Sequence, residues 1–184
     1  MSRFLLLFFT WFLLIGAHKA EERLILDSPD GTIRFMLYLD KDAALRYDLL
    51  FGDAVILEAG KLGLEESRLG ILGKGIQIAS LDRFSKNEIW KPVYGERSNV
   101  RDHFNGIRVA LHGLGDKQAE FYLEIRAYNE GIAFCYEIPF RGDYHVVAEH
   151  STFPFAHEVY GWTSRHAQGP ISKEKLSSIK EASE

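Results

Sequence analysis

Thr32-Ile33-Arg34-Phe35-Met36-Leu37-Tyr38-Leu39 places a large apolar residue at every second position. Successive side chains of an extended chain point to opposite sides, so Ile33, Phe35, Leu37 and Leu39 share one strand face, with Thr32, Arg34, Met36 and Tyr38 on the other. Upstream, Ser28-Pro29-Asp30-Gly31 is a turn with a mechanism, because Pro fixes φ and Gly accepts a positive one. Downstream, Asp40-Lys41-Asp42 turns the chain into a second alternating run at Leu45, Tyr47 and Leu49, and Gly52-Asp53 introduces Ala54-Val55-Ile56-Leu57. The pattern returns at Ile107-Val109-Leu111, Phe121-Leu123-Ile125 and Ile132-Phe134-Tyr136-Ile138, the last two runs joined tightly through Asn129-Glu130-Gly131. Many short strands with frequent turn signals predict an all-β sandwich or barrel.

Two stretches depart from this alternation. Between Lys61 and Gly75, glycines 63, 70, 73 and 75, with Gly60 at the edge, predict an irregular loop whose spacing matches no phosphate-binding motif. From Ser172 to Glu184, Leu176 and Ile179 stand three apart among Lys, Glu and Ser, which predicts a short helix with Ser172 as N-cap, or a linker.

The first 20 residues read as an export signal. Arg3 precedes an apolar run from Phe4 to Ile15, and Gly16, Ala17 and Ala20 supply small residues for cleavage after Ala17 or Ala20. The run is shorter than the ~20 residues that span a bilayer. The expected product is periplasmic or secreted, with no membrane attachment after signal cleavage. Its 164 remaining residues, out of 184, are one domain's worth. Without Arg3 and Lys19 the chain keeps 20 basic against 26 acidic residues, a net −6 with His neutral. That balance, without a local Lys/Arg cluster, argues against nucleic acid as a partner. The single cysteine, Cys135, cannot form an internal disulfide and sits in an alternating strand without a neighbouring His or Lys, so it reads as a small strand residue.

The densest polar and aromatic stretch runs from Trp90 through Lys91-Pro92-Val93-Tyr94-Gly95-Glu96-Arg97-Ser98-Asn99-Val100-Arg101-Asp102-His103-Phe104 to Asn105. Aromatic faces beside fixed donors and acceptors suit a sugar, which offers C–H patches for stacking and hydroxyls for hydrogen bonding. The same residues also suit a β-bulge or long hairpin held by internal Arg–carboxylate pairs. Glu96 and Asp102 could be read as a glycosidase pair, which requires two carboxyl groups across a pocket and one raised pKa. Histidines 103, 112, 145, 150, 157 and 166 follow no metal-ligand spacing and read as scattered side chains. No Gly-x-Ser-x-Gly elbow is present.

The tract from Trp90 to Asn105 resembles the N-terminal domain of glycoside hydrolase family 97. Ser28-Pro29-Asp30-Gly31, Lys61-Leu62-Gly63-Leu64, the stretch from Arg126 to Phe134, and Thr152-Phe153-Pro154-Phe155 are similar to that family's other landmarks in the same order. The resemblance implies a β-super-sandwich like that of galactose mutarotase, covering 21–171, with 172–184 starting a linker towards a catalytic (β/α)₈ barrel. It further implies exo-acting hydrolysis of α-glycosidic bonds, as by an α-glucosidase or α-galactosidase on starch-derived oligosaccharides or galactosides. The complete enzyme would use a calcium ion near the reacting sugar, while this chain itself carries no cofactor. A barrel needs about 250 residues, and the chain stops at Glu184. The expectation is therefore an accessory module without catalytic residues, whose partners are the barrel and the enzyme's oligosaccharide substrate. It would line the substrate pocket and stabilise the barrel. Since the tail from Ser172 shows no strand that would close the sandwich, a fragment is expected over a stand-alone domain. Trp90, Glu96, Arg97, Arg101, His103 and Asn105 are the candidates for substrate binding or the domain interface. No residue matches the family's N-terminal calcium-ligand motif, and neither Glu181 nor Glu184 is assigned to it. The alternatives are an autonomous carbohydrate-binding protein using Trp90, Tyr94 and Trp162, and a small hydrolase built on Glu96 and Asp102.

Overall fold

The structure is a computed structural model that describes residues 23–114, 120–139, 142–164, 166 and 168–179. The expected export signal and the last five residues of the tail lie outside these. Sheet one runs in spatial order β1 (Leu24–Asp27), β2 (Ile33–Leu39), β3 (Leu45–Phe51), β4 (Ala54–Lys61), and every neighbour is antiparallel. The short strands β5 (Leu64–Glu66) and β6 (Gly70–Leu72) follow. Sheet two runs β10 (Gly131–Glu137), β9 (Glu120–Tyr128), β8 (Val100–Gly113), β7 (Ile76–Trp90), again antiparallel. β1 and β2 meet β8 and β9 across the interface, so the two sheets form a sandwich.

The alternation decides which face turns inward. Ile33, Phe35 and Leu37 are buried, followed by Leu45 and Tyr47 from β3. Sheet two answers with Ile107, Val109 and Leu111 of β8 and Phe121, Leu123 and Ile125 of β9, all 0% exposed. Those six residues stand in direct register, Ile107 with Ile125, Val109 with Leu123 and Leu111 with Phe121. Ile132, Phe134, Tyr136 and Ile138 pack at the margin of this core, and Cys135 lies on the other face of β10, exposed and unbridged. The tight connection expected at Asn129-Glu130-Gly131 is two residues, Asn129-Glu130, because Gly131 already pairs with Tyr128 as the first residue of β10.

The segment between Lys61 and Gly75 is more ordered than its glycines suggest. β5 and β6 form a small sheet with β11 (Val146–Glu149), in the order β11-β5-β6. Glu66 organises it. Its carboxylate, fully buried, accepts N–H bonds from Arg68 (2.8 Å), Leu69 (2.9 Å) and His145 (3.3 Å), and a hydroxyl bond from Ser67 (3.2 Å). A charge taken out of water persists only when its lone pairs are satisfied, and here the backbone does this. The Leu69 N–H, and after it those of Arg68 and His145 with the Ser67 hydroxyl, outweigh burial and hold the carboxyl at about 2 instead of 4.5.

The tail also differs from expectation. Ser172 does not cap a helix; it lies inside β13 (Ile171–Lys175), which pairs with β12 (Tyr160–Ser164) as a two-stranded ribbon. Only Leu176–Ser178 is helical, as a single 3₁₀ turn. With Ile171 as its one apolar residue, this five-residue segment carries no alternation to announce a strand, and only the partner supplied by β12 fixes it.

Close approach rather than turn chemistry explains Gly60. It stands opposite Tyr47, and a Cβ there would run into the Tyr47 ring. The ring cannot retreat, because it is buried, stacks on Phe35 at 5.2 Å and donates its hydroxyl to the Thr152 carbonyl at 2.8 Å. Gly60→Val should therefore cost about 1–3 kcal/mol by overpacking. Calorimetry or circular dichroism should show a melting temperature lowered by about 3 °C or more, and an unchanged value would remove this account.

Acid should act through Glu66. Its folded pKa lies below its ordinary one, so the ionised carboxylate contributes in full above about pH 4.5 and its contribution is lost as pH falls towards 2. Thermal melts between pH 7 and pH 2 should show Glu66→Gln starting several degrees below the wild type and losing less than it does on acidification. Parallel curves for the two proteins would contradict this assignment.

Candidate functional site

The tract that carried the sugar-binding expectation is the far end of a long β-hairpin. β7 and β8 pair from Ile76 with Gly113 to Trp90 with Val100, whereas β9 accompanies β8 only from His112 back to Asn105. The last five residue pairs, from Lys86 with Phe104 outward, extend beyond the third strand as a two-stranded arm. Of the two readings open in the sequence, the long hairpin is the one the structure adopts. Its internal bonds differ from the Arg–carboxylate pairs expected: Arg101 Nε donates to the Asn87 side-chain oxygen (3.0 Å), and Lys86 bridges Glu88 (3.2 Å) and Asp102 (3.1 Å).

A small aromatic cluster seats the arm. Phe104, buried, meets Phe84 edge-on at 5.8 Å and Tyr128 at 5.2 Å, while the Arg126 guanidinium lies over its ring at 4.7 Å. Gly106 faces Phe84 across the hairpin, and a Cβ there would come within 2.5 Å of the Phe84 ring. The ring thus covers a strand position that carries no side chain of its own.

The candidate residues separate along this arm. Asn105 is a tether, its side-chain amide donating to the Asp27 carbonyl (3.0 Å) and joining the two sheets. Arg101 is exposed and His103 half-buried, two rungs apart on the arm. Glu96 and Arg97 lie exposed in the connecting loop 91–99. Trp90 closes β7 at 52% exposure, and Val93 and Tyr94 in the loop are 99% and 90% exposed. The tip therefore offers aromatic and apolar surface to solvent. Asp102 is a poor partner for Glu96 in acid catalysis. The Lys86 ammonium beside it, helped by the Tyr128 hydroxyl (3.2 Å), holds its carboxyl below the usual range, and a general acid needs the opposite.

Two further surfaces have weak or no signals in the sequence. One is the ribbon face where Tyr160, Trp162, Ile171 and Lys173 come together: Trp162 stands opposite Lys173 and Ser164 opposite Ile171, and the Lys173 ammonium lies 5.3 Å from the Tyr160 ring centre. Trp162 is 71% exposed there. The sequence offered Trp162 alone, because β13 carries only Ile171 as an apolar signal. The other is a cleft of about 530 Å³ between the β3–β4 edge and the small sheet, lined by Asp40, Arg46, Lys61, Lys74, His150 and Thr152 among others. Arg46 and His150 are already engaged by Asp40 (2.8 Å) and Glu65 (2.9 Å). Among the described residues no three His, Cys, Asp or Glu side chains come together to hold a metal ion.

Known proteins agree with this geometry. The family model described as glycosyl-hydrolase 97 N-terminal matches residues 26–184. A retaining alpha-galactosidase of Bacteroides thetaiotaomicron is 23% identical over 141 residues, which is 77% of this chain and 20% of that protein. A glycoside hydrolase family 97 variant enzyme from Pseudoalteromonas sp. strain K8, solved with panose, superposes with a TM-score of 0.72 at 20% identity, covering 84% of this chain and 25% of that one. A beta-arabinopyranosidase structure gives a TM-score of 0.69 at 16% identity, over 77% of this chain and 23% of that one. The chain thus spans a quarter or less of the length of the relatives it matches. With its sandwich, its hairpin arm and the matched stretch from residue 26 to 184, the chain belongs to the glycosyl-hydrolase 97 N-terminal family.

Proposed function

We propose that this protein is the accessory module of an exported, exo-acting α-glycosidase, docking on a catalytic barrel and lining its substrate pocket without cleaving bonds itself. The observation that carries the reading is the exposed ribbon face of Tyr160, Trp162 and Ile171 on a domain that corresponds to 20–25% of whole family enzymes. Burying such a face against a second domain would contribute about 25 cal/mol per Å² of apolar surface removed from water. The arm's tip, with Trp90, Val93 and Tyr94, is a second surface of the same kind, placed at the end of a stiff hairpin where it can reach a neighbouring domain's pocket. Arg97 and Arg101, both exposed, would meet sugar hydroxyls or carboxylates at the pocket rim. Calcium would belong to the complete enzyme. Export is supported by the charged, apolar and small-residue order of the first 20 residues.

Exposed aromatic rings at Tyr94 and Trp162 also favour a second reading, direct carbohydrate binding by the chain alone. Two measurements separate them. The purified chain should release no p-nitrophenol from α-glucosides or α-galactosides, and calorimetry with malto-oligosaccharides and galactosides should register no heat of binding. Added to a family 97 enzyme deprived of its own N-terminal domain, it should restore turnover, and Trp162→Glu should reduce that restoration at least tenfold. Millimolar or tighter sugar binding without restoration would favour the second reading, and turnover by the chain alone would sink both.

A further inference from the structure

Sheet one protects its β4 edge. Residues 150–156 run along it, with His150 N–H donating to the Gly63 carbonyl (2.8 Å), Thr152 N–H to Lys61 (3.0 Å), Glu58 N–H to Pro154 (3.0 Å) and Ala156 N–H to Ile56 (3.0 Å). Sheet two has no such cover on β7. β7 is the outermost strand and, at 15 residues, the longest. Among the described residues, no backbone bond reaches its outer side between Gln77 and Trp90. It carries no Pro, and its one bulge lies at Ile78 to Ser80, which leaves Ser80 to Glu88 straight. Natural sheets blunt such an edge with Pro, bulges or a covering segment, because unpaired N–H and C=O groups template another strand.

From this edge we infer that the chain self-associates, β7 pairing antiparallel with β7 of a second copy to continue sheet two across a two-fold axis. The two-fold is what selects the occupant. An axis normal to the sheet leaves each side chain on its own face, so it can pair only residues whose numbers are both even or both odd. Registers centred on Asp82, Arg83 or Lys86 set a charge against its own copy, and one centred on Ser85 sets Asp82 against Glu88. A register centred on Asn87 leaves only the stretch from Phe84 to Trp90 to pair. Centred on Phe84, the whole stretch from Ser80 to Glu88 pairs, no charge meets its like, and Asp82 stands opposite Lys86 of the second copy twice. Opposite charges directly across a ladder stabilise it, and like charges destabilise it. Asp82 is exposed and, among the described residues, lies within salt-bridge distance of no cation, although Arg108 stands opposite it in the ladder; Lys86 would add Asp82 of the second copy to the Glu88 and Asp102 carboxylates it already bridges.

Sedimentation velocity on the purified chain from 1 to 100 µM should resolve a monomer–dimer equilibrium. Asp82→Lys should weaken the dimer about tenfold or more while leaving the far-UV spectrum unchanged, with a modest fall in melting temperature because the new lysine stands opposite Arg108. In a Cys135→Ser background, Phe84→Cys should form an intermolecular disulfide under mild oxidation, since residues on the axis approach to ~5 Å between Cα atoms, and Arg83→Cys should not. A monomer throughout the concentration range overturns the proposal. So does a dimer that ignores Asp82→Lys and fails to cross-link at Phe84, an outcome that would transfer the contact to the ribbon or to β10. None of these readouts involves a glycosidase, so failure here leaves the accessory-module reading untouched, and the reverse also holds.

Discussion

The ladder between β8 and β9 is the constraint on which the rest of the molecule depends. Ile107, Val109 and Leu111 face the core from one strand, Ile125, Leu123 and Phe121 from the other, and none has any exposed surface. Side chains alternate with a period of two, so a slip of one residue would turn the three core residues of one strand to solvent and put Arg108, or Glu124 and Arg126, inside. No alternative register approaches that in stability, and the apolar faces of β2 and β3 then have one surface to cover. The arm inherits its direction from this ladder. Since β7 and β8 continue past the end of β9 in the same register, the tip is aimed by a core that lies several residues away from it.

Buried carboxylates do a different job from the apolar core. Glu66 gathers three backbone N–H groups from two distant segments, and Asp48 accepts from the Ala59 N–H (2.8 Å), the Tyr38 hydroxyl (3.3 Å) and Arg23 (2.8 Å). Ala59 has a positive φ of 53°, unusual for a residue with a Cβ, beside the register shift in β4. The Asp48 carboxylate satisfies the N–H that this irregular backbone leaves without a ladder partner. Each carboxylate thus pins a place where the sheet pattern breaks. Their charge serves geometry, and neither faces the arm or the ribbon.

A carbohydrate enzyme's chemistry needs two carboxyl groups of different acidity across a pocket. Among the described residues, Asp102 is consumed by structural bonds to Lys86 and Tyr128, and Glu96 stands exposed in the loop. What the molecule offers to a neighbour is apolar: Trp90, Val93 and Tyr94 at the arm's tip, and Tyr160, Trp162 and Ile171 on the ribbon. On the accessory-module proposal, those surfaces would be the ones that meet the neighbour.

Alternation and turn chemistry were enough to determine the fold class, the inward residues of β2, β3, β8, β9 and β10, and the turns at Ser28-Pro29-Asp30-Gly31 and Asn129-Glu130, because these depend only on neighbours along the chain. The tract from Trp90 to Asn105 was equally legible as a special stretch. Its meaning was not, since nothing local says where β9 stops pairing. Only the tertiary structure could turn Asn105 from a ligand candidate into a tether between sheets, give Lys61 to Gly75 two strands, and make the tail from Ile171 half of a ribbon. Each of those outcomes rests on a partner far away in sequence: Asp27 for Asn105, Val146 to Glu149 for β5, and Tyr160 to Ser164 for β13. A hydrogen bond or ladder between distant residues leaves no periodicity of its own, so its effect becomes visible only when the chain is folded.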